Sequence, residues 1–263
     1  MRGARTSAIG LCALIVSFAG SGCSRHNGPS LTATAQSNRI SIEPPANSHD
    51  NWRSAGISLQ GRPIRVRTLG HGPRRVLFIG GIHGDEAEGA YATSQLPAAF
   101  AASGLGDVVT LTILEDANPD GRANRTRDNV NGVDLNRNFP ATNFDPSNVS
   151  SGGSPVSQPE SRAVVDTIEH TVPQLIMIVH SWTDQQFINF DGPARAIAER
   201  FSATSEIPVM DSSLIPPTPG SLGSYAGRDR RIPVLTIEFR KGSDPLADWG
   251  LIKVAVIEVI RGD

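Results

Sequence analysis

Arg75–Glu86 reads RVLFIGGIHGDE. Val76 to Ile79 is an unbroken apolar run, short enough for a strand buried on both faces, and Gly80-Gly81 closes it. His83, Asp85 and Glu86 follow at once. The stretch from Glu86 to Phe100 is Ala-rich and predicts a helix, with Pro97 expected to break its last turn. A strand that passes through a glycine turn into a helix is the repeating unit of a helix-covered sheet.

The same pattern recurs outward from this segment. Val108 to Leu114 predicts a second strand, Leu175 to Val179 a third, and Val234 to Phe239 a fourth. Helices are predicted over Pro193 to Ser202 and Pro245 to Ile260. Ser157-Gln158-Pro159-Glu160 fits a capping box that opens a helix reaching His170. Ile57 to Leu59 and Ile64 to Leu69, joined by Gln60-Gly61-Arg62-Pro63, predict a hairpin. The expected fold is α/β: a single domain with a mixed, mostly parallel central sheet flanked by helices. Asn118 to about Val156 is long, polar and rich in Asn, Gly and Pro, which in a compact domain points to a functional or disordered loop.

A chain of 263 residues with 38% hydrophobic and 19% charged residues is ample for one buried sheet. A net charge of −2 and the lack of a dense Lys/Arg stripe argue against nucleic acid as a partner. At the N-terminus Arg2 and Arg5 precede the apolar run Ala8 to Ala19 and the small residues Gly20-Ser21-Gly22. That order predicts a signal peptide over 1–22 and export to a bacterial cell envelope. Cys23 then fits a lipoprotein box, except that Gly20 stands where a Leu is expected. Membrane attachment through a lipidated Cys23 and a free periplasmic form both stay open. Residues 23–55 read as a polar tether and 56–263 as the catalytic domain. With Cys12 removed, one Cys at most remains, so a metal would sit on His and carboxylate rather than on thiolate.

The polar residues fall where the strands end. His83 and Glu86 follow one strand, His180 follows another, and Glu238 sits in a third. In open α/β sheets such ends line the ligand crevice. Catalytic zinc takes three N or O ligands and leaves one position open, and His83, Glu86 and His180 supply such a set. Glu238 would serve as general base, since an unpaired carboxylate between Ile237 and Phe239 is costly without a role. Arg125 or Arg127 on the long loop would face the oxyanion. Singly, each of these has a bland account: His-x-x-Glu is a weak motif, a His after a strand is commonly structural, and Glu238 could pair with Arg240 or Lys241. Only their joint pattern carries weight.

His83-Gly84-Asp85-Glu86, Asn118-Pro119-Asp120-Gly121, Val133 to Pro140 (VDLNRNFP), His180-Ser181 and Thr236-Ile237-Glu238 resemble, in order, the motifs of the zinc carboxypeptidase family. Pro219 to Tyr225 and the compact Asp128 to Pro140 segment look like its bacterial murein peptide amidase branch. The resemblance implies one zinc ion on His83, Glu86 and His180, with Glu238 as base. It implies Asn136 and Arg137 as holders of the substrate's terminal carboxylate, and Asp134 as the carboxylate orienting His83. Arg127 is preferred to Arg125 as the oxyanion donor. Digestive-type members place a substrate-binding tyrosine on a loop where Leu214 to Thr218 has none, which leaves Tyr225 as the nearest tyrosine. The expected activity is hydrolysis of an amide beside a free carboxylate, in a cell-wall peptide such as γ-D-glutamyl-diaminopimelate. Rival readings are an N-acyl amino-acid deacylase of the aspartoacylase or desuccinylase type, and an inactive lipoprotein that binds wall peptides. The oligomeric state is not legible.

Overall fold

A computed structural model describes residues 51–262. The signal peptide expected over 1–22, Cys23, and the tether as far as residue 50 lie outside the described residues. The strands are β1 (Arg53–Ile57), β2 (Pro63–Leu69), β3 (Arg74–Ile79), β4 (Val109–Leu114), β5 (Leu175–Trp182), β6 (Phe187–Asp191) and β7 (Val234–Arg240). The helices are α1 (Ala87–Ser103), α2 (Pro119–Asn124), α3 (Pro159–Thr171), α4 (Arg195–Ser205) and α5 (Pro245–Arg261). The strands form one mixed sheet in the order β1-β2-β4-β3-β5-β7-β6. β4, β3, β5 and β7 run parallel at its centre, while the β1–β2 hairpin and β6 pair antiparallel at the two edges.

Strand alternation sends side chains to two cores. Val76, Phe78, Met177, Val179, Leu235 and Ile237 join the cluster under α1, α4 and α5. Leu77, Ile79, Ile176, Ile178 and Val234 join the opposite cluster, with Leu135, Phe139 and the α3 residues Val164 and Ile168. His180 follows Ile178 by two residues and Glu238 follows Val234 by four. Both therefore share the second face, and in the parallel register they stand side by side.

Several local expectations are corrected. The tether stops short of residue 55, because Arg53 and Ser54 already pair with Val66 and Arg65. Pro97 lies inside α1 without ending it. Buried Leu96, Ala99 and Phe100 carry the helix past it, and Gly104, at φ 69°, closes it in the left-handed conformation. The capping box does not form: α3 starts at Pro159 with no side-chain cap. The Ser157 hydroxyl instead accepts from Asn138, while Glu160 accepts from the Leu59 N–H and from Asn129. Buried donors elsewhere outbid the helix end.

The long segment after β4 is ordered rather than loose. Asn138 Nδ2 donates to the Ser151 and Ser154 carbonyls, and Val133, Leu135, Phe139 and Ala141 are buried. This segment carries Asp134 to Arg137 over the face of the sheet that bears His180 and Glu238.

Candidate metal centre and cleft

The four parallel strands end at the same side of the sheet, and between β3 and β5 the chain order reverses. Side chains from different strand ends converge at such a switch point. His83 and Glu86 come from the turn between β3 and α1, and Gly84 is required there. A Cβ on it would lie 2.0 Å from the Gly121 carbonyl carbon. His180 lies inside β5, one residue past the strand end expected from sequence, and is buried.

Glu86 sits between the two imidazoles. Its Oε1 is 2.8 Å from His83 Nδ1 and its Oε2 is 2.9 Å from His180 Nδ1. The two rings are 4.6 Å apart between centroids. His83 Nε2 faces Asp134 Oδ1 at 3.0 Å, which frees Nδ1 to act as a ligand when Nε2 carries the proton. Arg127 donates to Asp134 Oδ2 at 3.1 Å and to Glu86 Oε1 at 3.3 Å.

The electrostatics fit a site built for a cation. Burial pushes His83 toward its neutral form, but Glu86 and Asp134 outweigh burial and raise its pKa to about 9. Burial opposes the charge on Glu86, yet the two imidazoles hold it well below the usual carboxylate range. Burial lowers His180. Burial, joined by the charge of Glu86, pushes Glu238 up to about 8. Two carboxylates in one cleft are thus driven in opposite directions, the pattern expected of a cation ligand beside an acid–base group.

The ligand atoms of His83, Glu86 and His180 all lie within 4.8 Å of one another. Zinc binds His nitrogen and carboxylate oxygen at about 2.0–2.2 Å, so donors around one tetrahedral ion stand roughly 3.3–3.6 Å apart, and these atoms need only a small inward shift to reach one ion. Two Nδ1 atoms and a carboxylate aimed at a common point, with Asp134 behind His83, fit zinc by donor type and by support. No cysteine competes among the described residues.

The cleft over this centre has a volume of about 220 Å³. Arg127, Asn136, Arg137 and Glu238 line it; Arg125 and Tyr225 do not. Arg125 is the exposed end of α2, at φ 55°. Tyr225 is corrected as a substrate-binding residue. It is 3% exposed, its ring stacked on Phe139 and covered by Arg230. Asn136 is fixed at both ends of its amide: Oδ1 accepts the Leu222 N–H at 2.9 Å, and Nδ2 lies 3.5 Å from His180 Nε2. Sequence reasoning missed Asn189, Asp191 and Arg228, which also line the cleft. The alternation of Phe187 and Asn189 before Gly192 was the available signal for β6.

A family model described as zinc carboxypeptidase matches residues 51–209. The chain is 28% identical over 211 residues to murein peptide amidase A of Escherichia coli (strain K12), spanning 74% of this chain and 82% of the relative. It is 29% identical over 180 residues to murein peptide amidase A of Vibrio campbellii, spanning 62% and 68%. The crystal structure of the murein-tripeptide amidase of Escherichia coli O157 superposes with a TM-score of 0.66 at 25% identity, over 81% of this chain and 92% of that one. The family match ends before Glu238, whose place rests on its register with His180.

Proposed function

The chain belongs to the zinc carboxypeptidase family and is a hydrolase, and from that premise we propose that it cleaves the amide beside a free terminal carboxylate in a cell-wall peptide, such as γ-D-glutamyl-diaminopimelate. The observation that carries this reading is the pairing in one cleft of a His83–Glu86–His180 ligand set with a Glu238 carboxylate that no described residue hydrogen-bonds. The names of the relatives support the wall-peptide substrate. The basic, apolar and small segments over 1–22, followed by Cys23, support a place in the cell envelope.

Zinc, held by His83, Glu86 and His180, would acidify water and polarise a carbonyl. Glu238 stands beside His180 in the register and takes a proton from the attacking water. It then hands that proton to the departing amine. Its raised pKa suits both halves of the task near neutral pH. Arg127, half-exposed and held by Asp134, keeps a fixed positive charge where the carbonyl oxygen gains negative charge. Arg137 and Asn136 hold the terminal carboxylate, a role suited to a planar guanidinium. Asp134 receives the second His83 nitrogen and keeps that ring from turning.

The test is release of a C-terminal residue from wall tripeptides by the zinc-loaded protein, with and without chelator. Turnover is expected only with the metal. Glu238→Gln is expected to lose about 10²–10⁴-fold in kcat while still binding one zinc per chain. Near-normal turnover by Glu238→Gln would remove the base and, with it, the proposed mechanism.

A further inference from the structure

The sheet is not covered evenly on its α3 side. β4 is an interior strand between β2 and β3, and a strand buried on both faces reads as apolar throughout. β4 instead alternates. Val109, Leu111 and Ile113 enter the core under α1, α4 and α5, whereas Thr110 and Thr112 take the α3 side. Near its first turn α3 rests directly on β1: a Cβ on Gly56 would lie 2.9 Å from the Ala163 Cβ. Beyond that contact a cavity of about 980 Å³ lies between α3 and the sheet. Val66, Thr68 and Thr112 line it from the strands, Asp166, Thr167 and His170 from the helix, and Asn51 to Ala55 from the edge. α3 leads into Leu175 at the start of β5, and His180 stands five residues further on, roughly 17 Å along the strand. The cavity and the metal centre thus sit toward opposite ends of the sheet.

A space serving only the fold would be filled by Leu or Ile. Here its walls are polar and incompletely paired. The Thr68 and Thr112 hydroxyls are 3.2 Å apart and share one hydrogen bond, so one of their two protons is unused, although Thr112 is only 3% exposed. Around the mouth, the side chains of Asn51, Arg53, Asp166 and His170 form no hydrogen bond or ion pair with any described residue. Trp52 is half-buried, and the Arg65 guanidinium lies over its ring at 5.1 Å. Arg65 does not line the cavity, so it backs one face of the indole and leaves the other toward the open space.

An anion in this cavity would meet Asp166, and a cation would meet Arg53. Donors and acceptors together, beside a fixed aromatic face, suit an uncharged ligand that carries several hydroxyls and has one flat apolar side. The volume falls within the range of about 300–1,000 Å³ usual for small-molecule sites. We propose that this cavity is a saccharide-binding site, which takes a neutral pyranose stacked on Trp52 with its hydroxyls on Asp166 and the Thr68–Thr112 pair. The site is separate from the metal centre and does not depend on the hydrolase reading.

The test is calorimetric titration of the full chain, zinc-loaded and zinc-free. The neutral ligands are cellobiose, maltose, lactose and di-N-acetylchitobiose; chitobiose and cellobiuronate serve as cationic and anionic counterparts. At least one neutral disaccharide is expected to bind, with the same affinity in both metal states and more tightly than either charged sugar. Trp52→Ala is expected to weaken that binding about tenfold, and Trp52→Phe to restore most of it. Asp166→Ala and Thr68→Val, at exposed positions, are each expected to weaken it about 3- to 10-fold, and they carry the test if Trp52→Ala does not fold. Cleavage of wall tripeptides is expected to be unchanged in all of these variants. Failure of every neutral sugar to bind, tighter binding of a charged one, or affinities unchanged in the folded variants overturns the assignment. Sugar binding that vanishes on zinc removal, or that tripeptide displaces, would place the sugar in the cleft and overturn it equally.

Discussion

At the scale of single residues, Glu238 is held where its charge is unwelcome. Its folded pKa is about 8 against 4.5 in the unfolded chain, so it is an acid with a raised value. Below pH 4.5 it is protonated in both states and costs nothing. Between 4.5 and 8 the unfolded chain binds fewer protons than the folded one, so stability from this group falls as pH rises and is fully lost above 8. The size is on the order of a few kcal/mol. Metal-free Glu238→Gln is therefore expected to melt higher than metal-free wild type at pH 8.5, and by much less at pH 4.5. A melting difference equal at the two pH values would contradict this account. The costs of Glu238 made it legible in the sequence, since a carboxylate inside an apolar strand calls for a reason. His83, Glu86 and His180 were legible for a related cause: each interrupts or follows an apolar run. Tyr225 misled because its neighbours are polar and small. Its ring turns inward only through the π-helical turn that the flanking glycines permit, and no local pattern announces that geometry.

At the scale of elements, α1 and the ends of β5 and β7 are joined by one buried side chain. Glu88, one residue into α1 and 3% exposed, accepts the Ser181 hydroxyl at 2.8 Å and the Gly242 N–H at 2.7 Å. Ser181 follows the proposed ligand His180, and Gly242 lies just past the strand that bears Glu238. Glu88 thus ties together the three segments that carry the proposed metal ligands and the proposed base. Glu88→Ala leaves two donors unpaired and is expected to cost about 2–4 kcal/mol of stability in urea unfolding. Glu88→Gln, which can still accept from Ser181 but meets the Gly242 N–H poorly, is expected to fall between. Equal stability of all three proteins would show that the ends of β5 and β7 need no such tie. The parallel strands themselves were legible because burial on both faces writes an unbroken apolar run. β6 was not: with an edge position and five residues, its pattern is only two alternations long. Pro97 was misjudged because propensity speaks for an isolated helix, whereas α1 is held by the core beneath it.

At the scale of the whole molecule, the metal site exists only when the sheet is assembled. His83 and Glu86 lie close in sequence, but His180 reaches them only through the β3–β5 pairing, and Asp134 only through the folded segment beyond α2. An unfolded chain can offer the local His83–Glu86 pair and little more, so zinc at the proposed site would bind the native state almost exclusively. Binding is then linked to global stability rather than to one loop. With free zinc at about 1,000 times its dissociation constant the added stability is about 4 kcal/mol. For a domain of this size each kcal/mol moves the melting temperature by about 2–4 °C. Removing the metal is therefore expected to lower Tm by about 8–16 °C in a single cooperative transition, and the metal-free fold is expected to persist at room temperature. The His83–Glu86–His180 contacts already present explain that persistence, because the imidazolium of His83 stands beside Glu86 and takes up part of the cation's electrostatic role. Scanning calorimetry with and without chelator, alongside elemental analysis, checks this. Glu86→Gln is expected to erase the difference between the two scans. One zinc bound per chain with an unchanged Tm would mean that the ion sits on a local segment, and that the convergence of three strand ends does not create its site.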